Sequence, residues 1–236
     1  MGLVDVSRFD FFASAASAAV SLGVGVPAAT PAARPTFDPA LSEAVPFHFD
    51  WEAFLAILNR PFPHRQVSAP NGFSAATVAM SHARNSLRAY ADPNGFAGGP
   101  HSMHCAAVLY AGRSINLALD DAMYVKYPLG LLNDEEMRPN DLTNRNYWSS
   151  LRRNPMDDFM RPLLDQGLSL FVCNNALSGF SAELAHRMAN GGAVTRADVV
   201  AVHDDLASHF LPGTMLVPAG VAALNAAQEA RFTFLP

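Results

Sequence analysis

Apolar runs alternate with amphipathic patterns along the chain from about residue 50 onward. Residues 105–110 and 168–173 are nearly continuous apolar runs, the pattern of parallel strands that are covered on both faces. Shorter runs predict three further strands, at residues 65–69, 214–217 and 231–235. Helical patterns fill the intervals between them, at residues 51–59, 74–90, 119–127, 178–188, 195–209 and 219–229. Strands separated by helices predict an α/β fold, a three-layer sandwich with a central, mostly parallel sheet of about five strands flanked by helices.

Two predicted helices are preceded by side chains that can cap them. Asp50 stands directly before the helix at residues 51–59, and Thr195 with Asp198 forms a capping-box pattern. A polar segment at residues 133–154 interrupts the alternation of strands and helices and is rich in arginine. We predict that this segment is a surface excursion or a loop that faces a partner.

The first forty residues differ in composition from the rest of the chain. Residues 11–26 form an apolar run that is shorter than the roughly 20 residues needed to span a bilayer. Small residues follow at Val26-Pro27-Ala28, and a Pro/Ala-rich stretch comes next. The sequence therefore predicts a signal-like leader at residues 1–28, a linker at residues 29–49 and a single folded domain at residues 50–236.

The start of this leader resembles an export signal. Ser-Arg-Phe-Asp-Phe-Phe at residues 7–12 is similar to the twin-arginine motif Ser-Arg-Arg-x-Phe-Leu, with Phe9 in the place of the second arginine. We expect a periplasmic or exported protein if this degenerate leader functions, and a cytoplasmic protein otherwise.

Composition excludes several classes of protein. The chain has 236 residues, 50% of them hydrophobic, and a formal net charge of −5, which is typical of a globular protein and unlike a nucleic-acid-binding one. Its two cysteines are too few for a disulfide scaffold. The glycine-rich residues 95–99 precede a strand, whereas phosphate-binding loops follow one, so we expect no cofactor.

Cys173 is the main candidate for chemistry. It ends the predicted strand at residues 168–173, and Asn174, Asn175 and a helix follow it. Ligands of open α/β sheets bind outside the carboxyl ends of strands, and a thiol that faces a helix N-terminus is expected to favour the nucleophilic thiolate. Arg113 lies just past the strand at residues 105–110 and could stabilise such an anion. The alternative is that Cys173 is a small buried apolar residue.

Cys105 opens its strand, so we expect it at the opposite edge of the sheet from Cys173 and predict that the two do not pair. His101, His104 and Cys105 have the spacing of metal ligands. A zinc site needs three or four convergent ligands, and no second cluster is near in sequence. We therefore expect no metal site. The alternative is a metal site formed by these three residues.

Several segments resemble one protein family. Phe-Val-Cys-Asn-Asn-Ala-Leu at 171–177, the segment 216–229 and the closing Phe-Thr-Phe at 232–234 are similar to the DsrE/DsrF-like family. Residues 104–110 and 118–127 resemble its exported branch, whose members often carry twin-arginine leaders. The resemblance runs from about residue 65 to the end. It implies a small three-layer α/β fold, assembly into trimers or hexamers and, in some members, sulfur transfer through a cysteine persulfide at a strand end, a position that Cys173 matches.

Two hypotheses about function remain open at this stage. In the first, the protein is a DsrE-like sulfur carrier whose persulfide forms on Cys173, with Asn174, Asn175 and Arg113 stabilising the anion. Its partners would be further copies of the chain and a sulfur donor or acceptor, either a protein or a small sulfur compound. In the second, it is a non-catalytic oligomeric protein of the same fold that binds a small ligand at the sheet edge.

Overall fold

The computed structural model describes residues 39–96, 102–137 and 152–235. The predicted leader, the first part of the linker and His101 lie outside the described residues, as does most of the polar segment at 133–154.

The sheet has five strands, and every pair of neighbours is parallel. The strands are β1 (His64–Ser68), β2 (Met103–Leu109), β3 (Ser169–Cys173), β4 (Thr214–Val217) and β5 (Thr233–Leu235). Their order across the sheet is β4-β3-β2-β1-β5. The predicted strands agree with these bounds to within two residues, because the buried apolar runs are also the runs that pair.

Helices cover both faces of the sheet and complete three layers. They are α1 (Trp51–Leu58), α2 (Phe73–Ala91), α3 (Asp121–Lys126), α4 (Leu129–Met137), α5 (Asp157–Asp165), α6 (Asn174–Met188), α7 (Arg196–Ser208) and α8 (Gly220–Glu229). The first layer holds α2 to α7, and their apolar side chains form one large core with Cys105, Leu109 and Val172 of the sheet. The second layer holds α1 and α8, which pack on Val108 and Phe171 from the other face. The predicted three-layer α/β sandwich is confirmed.

Both predicted caps are present. The Asp50 side chain accepts a hydrogen bond from the Ala53 amide at 2.8 Å, and Thr195 and Asp198 form a reciprocal capping box. Because these bonds satisfy amides that have no partner within the helix, they fix where α1 and α7 begin.

Two boundaries differ from the prediction by more than two residues. The polar excursion was expected from residue 133, but α4 continues to Met137, and the buried Asn133 accepts a 2.6 Å hydrogen bond from Asn116. This hydrogen bond between two buried amides offsets part of the cost of placing polar groups in the core, and a polarity pattern does not reveal such a pair. The second difference is that α6 begins at Asn174, four residues before its predicted start, so Cys173 is the N-cap residue.

The described part of the predicted linker packs on the domain. Leu41 and Val45 are buried, and Arg196 of α7 donates a 3.0 Å hydrogen bond to the Leu41 carbonyl oxygen. In the described residues, no helix is both long enough and apolar enough to cross a membrane.

Candidate functional site at the carboxyl edge of the sheet

Cys173 lies where the chain leaves the sheet in two opposite directions. It is the last residue of β3 and is paired in register with Val217, the last residue of β4. After β3 the chain enters α6 in the first layer, whereas after β4 it enters α8 in the second layer. Such a divergence between neighbouring parallel strands opens a crevice at their carboxyl ends, which is where α/β sheets bind ligands.

The start of α8 covers Cys173 from the second layer. Gly220 is the first residue of α8, and a Cβ atom built on it would lie 3.2 Å from Cys173 Cβ and 3.2 Å from Val108 Cγ1. Cys173 is accordingly only 5% exposed. The sulfur-bearing side chain thus lies beside the first residues of two helices, α6 and α8. The first amides of a helix have no partner within the helix, and its aligned peptide dipoles make a helix N-terminus a favourable place for an anion.

Asn174, predicted to stabilise an anion, is buried and bonded to other groups. Its Nδ2 donates to the Val45 carbonyl oxygen at 2.8 Å, and its Oδ1 lies 2.8 Å from His203 Nε2 of α7. The Val45 oxygen can only accept, so the orientation of the amide is fixed and His203 Nε2 is the donor to Oδ1. The Asn174 side chain therefore joins three separate parts of the first layer. Asn175, the next residue, is exposed in the first turn of α6.

Arg113, the third predicted anion-stabilising residue, is paired with a carboxylate. Its two terminal nitrogens donate to the two oxygens of Glu183 at 2.5 and 2.6 Å, and its guanidinium lies over the Phe180 ring. Partial burial raises the pKa of Glu183, but the bonds and charges of Arg113 and Arg187 outweigh it and hold this pKa below its usual value. The carboxylate therefore neutralises much of the Arg113 charge at neutral pH.

Cys105 lies at the amino edge of the sheet, as the strand directions predicted. It pairs in register with Gln66, near the start of β2, and its thiol packs in the first layer, 3.8 Å from the Ala83 carbonyl oxygen of α2. Burial raises the pKa of the Cys105 thiol to about 12. Cys105 is therefore an inert thiol at neutral pH, far along the strand from Cys173.

His104 points to the other face of the sheet from Cys105. Its ring lies between the rings of Phe62 and Phe232, and Nε2 is 2.9 Å from Ser169 Oγ. Burial, together with the positive charges of Arg60 and Arg65, lowers the pKa of His104 to about 4. Neighbouring residues of a strand face opposite sides, so His104 and Cys105 cannot converge on one ion. Within the described part of the chain, no group of three or more His, Cys, Asp or Glu side chains is placed to hold a metal.

Three residues of the edge were not predicted from the sequence. Gly220 follows a strand and a proline, a signal for a close turn that pointed to no particular neighbour. His203 falls within the predicted helix at residues 195–209, and nothing near it in sequence indicates a buried partner. Val45 was assigned to a linker, and nothing in its surroundings in sequence indicates that it is buried against α6.

Comparisons of the chain with protein-family models, with curated proteins and with solved structures found no match.

Proposed function

We propose that this protein is a DsrE-like sulfur carrier in which Cys173 holds a persulfide. The observation that carries the proposal is the place of Cys173, at the end of β3, as the N-cap of α6 and against the first residue of α8. A helix N-terminus is a favourable place for an anion, and open α/β sheets bind ligands at the carboxyl ends of neighbouring strands whose chains diverge to opposite layers. The motif around residues 171–177 supports the same assignment.

The transfer step needs no cofactor. The Cys173 thiolate attacks the outer sulfur of a donor persulfide, R–S–SH, and a new S–S bond forms on Cys173. The S–S bond of the donor breaks at the same time, and the donor leaves as the thiolate RS⁻. An acceptor thiolate then attacks the outer sulfur of the Cys173 persulfide and releases the Cys173 thiolate. Such a protein carries sulfur between partners and is at most a sulfurtransferase.

The direct test is transfer of one sulfur atom from a small organic persulfide to Cys173 in the folded full chain. The Cys173→Ser variant provides the control for the site. Cys105→Ser provides the matched control for the other thiol, because Cys105 is buried at the opposite edge.

Assembly and location form part of the same proposal. The resemblance to the family supports a homo-oligomer, a trimer or hexamer, and large exposed apolar side chains such as Trp51 and Val221 offer surface for contacts between copies. Analytical ultracentrifugation of the full chain gives the oligomer number, and a monomer at micromolar concentration would contradict the proposed assembly.

The proposed location is periplasmic or exported. N-terminal sequencing of protein from its native host tests this through cleavage after residue 28.

A second candidate function is the binding of a small apolar ligand. A cleft of about 430 Å³ lies between the end of α3, the end of α6 and α7, away from Cys173. Met188, Val194 and Val202 line it together with several alanines, and Lys126 and Tyr127 stand at one side. Its volume is within the range of small-molecule sites.

An anionic apolar dye, anilinonaphthalene sulfonate, probes this cleft. If the cleft binds ligands, the Ala189→Trp variant, which fills it, abolishes the dye fluorescence, whereas Ala222→Trp on the exposed face of α8 leaves it unchanged. Equal fluorescence in both variants would contradict the second candidate.

A further inference from the structure

Residues 43–49, called the strap below, pass from one layer of the fold to the other. At one end, Val45 is 2% exposed and is bonded to the first turns of α6 in the first layer. At the other end, the Phe49 ring packs on Phe54, and Phe54 packs on Phe171 in the second layer. The four steps along the backbone from Val45 to Phe49 can span about 13 Å, which is enough to cross the edge of a sheet.

The crossing takes place at the carboxyl edge. Val45 is tied to Asn174 and Ser178, which belong to the start of α6, and this helix begins directly after Cys173. Helix α1 begins at Trp51 and leads the chain back to β1, whose first residue pairs with the start of β2. The strap therefore crosses the carboxyl edge of the sheet near the end of β3, close to the residue that carries the candidate thiol.

Side chains supply both hydrogen bonds of the Val45 backbone. The Val45 amide donates to Ser178 Oγ at 2.9 Å, and the Val45 carbonyl oxygen accepts from Asn174 Nδ2 at 2.8 Å. His203, buried in α7, holds the Asn174 amide through its Oδ1. This point of the strap is consequently attached by a short polar network rather than by a β-ladder or a helix, and opening it requires the loss of only a few bonds.

We propose that the strap is a closing segment over Cys173, and that Ser178, Asn174 and His203 are positioning residues that set how often it opens. The inference rests on the proposed function for its biological meaning, since an open strap would admit the sulfur donor. A closed strap together with α8 accounts for a carrier cysteine that is almost wholly buried.

Alkylation of Cys173 by iodoacetamide in the native full chain measures this opening, with the rate followed by peptide mass spectrometry. Ser178→Ala removes the acceptor of the Val45 amide and should raise the rate about tenfold, the factor that corresponds to one hydrogen bond. Ser181→Ala is the matched control, because Ser181 is equally buried in α6 and donates to a carbonyl oxygen four residues earlier, as Ser178 does. It should leave the rate within about twofold of the wild-type rate.

The role of His203 is tested by a pair of variants. His203→Leu should accelerate alkylation of Cys173, and His203→Gln should restore the slow rate, because a glutamine amide can still donate to Asn174 Oδ1. Cys105 reports global unfolding in the same sample. If the alkylation of both cysteines accelerated together, or if Ser178→Ala and Ser181→Ala alkylated at equal rates, the proposal that the strap closes over Cys173 would be contradicted.

The two proposals fail separately, because alkylation requires no sulfur transfer. Suppose that Cys173 of the Ser178→Ala protein alkylates quickly but accepts no sulfur. This result would contradict the proposed function and support the strap as a closing segment. If Cys173 accepts sulfur but its alkylation rate is unchanged in Ser178→Ala, only the proposal that the strap closes over Cys173 is contradicted.

Discussion

Gly220 lies directly against Cys173, and a side chain on Gly220 would have to occupy space that Cys173 and its neighbours already fill. A Cβ atom there would lie 3.2 Å from Cys173 Cβ and would collide with Cβ of Tyr110. Both of these atoms are fixed to strand backbone or to the residue that continues a strand, so they cannot move aside at small cost. The close approach of α8 to the sheet edge therefore requires glycine at this position.

We predict that Gly220→Ala destabilises the fold by about 1 to 3 kcal/mol, the usual cost of overpacking. Gly179→Ala in α6 is the control, because nothing lies within 4 Å of a Cβ atom built there. That substitution should stabilise the protein by about 0.5 to 1 kcal/mol through the higher helix propensity of alanine. Urea unfolding of both variants checks the prediction. Equal urea midpoints for the two variants would show that α8 is not closely packed against the sheet edge at Gly220.

The ion pair between Arg113 and Glu183 is expected to stabilise the attachment of α6 to the segment after β2. Glu183→Gln removes one charge of a partly buried bidentate pair and should cost about 1 to 2 kcal/mol at pH 7. The pKa of Glu183 is lowered in the fold, so the stabilisation is complete above the unfolded pKa and is lost as pH falls through the folded one.

The gap in stability between wild type and Glu183→Gln should therefore narrow as pH falls below about 4. Glu229→Gln, at the exposed end of α8, serves as the control and should change stability by less than about 0.5 kcal/mol. A gap for Glu183→Gln that stays constant from pH 7 to pH 3 would contradict an electrostatic origin.

His104 should make the protein sensitive to mild acid. Its pKa is about 4 in the fold and 6.5 in an ordinary environment, so between these values the unfolded chain binds a proton that the folded chain does not. Stability consequently falls as pH drops from 6.5 toward 4, by about 3 kcal/mol for one such group. Below pH 4 this contribution is constant.

His104→Gln removes the titrating group and should flatten the dependence of unfolding free energy on pH in that window. The exposed His82 of α2 provides the control, and His82→Gln should keep the slope of the wild type. Identical slopes for wild type and His104→Gln between pH 6.5 and 4 would show that another group causes the acid sensitivity.

The sequence predicted the sheet and most of the helices because their signals are local. Buried strands such as residues 168–173 are continuous apolar runs, and helix starts such as Asp50 and Thr195 carry capping side chains. The position of Cys173 at the carboxyl edge followed from strand direction alone.

The surroundings of Cys173 could not be predicted in the same way, because they depend on long-range contacts. Val45 is 129 residues from Asn174 in the chain, and the bond between them leaves no trace in the pattern of either segment. Arg113 was predicted to stabilise the anion, and the sequence gives no sign that its charge is matched by Glu183, a residue seventy positions further along the chain. The start of α6 was placed too late because Asn174 and Asn175 are poor helix formers, and buried bonds to Val45 and His203 compensate for this at Asn174.

The central claim is that Cys173 accepts a sulfane sulfur, and intact-mass and peptide mass spectrometry after incubation with glutathione persulfide test it most directly. The account predicts that wild type and Cys105→Ser each gain the mass of one sulfur atom, on the peptide that contains Cys173, and that a thiol reductant removes it. Cys173→Ser should gain none. No gain in the wild type, or an equal gain in Cys173→Ser, would contradict the account.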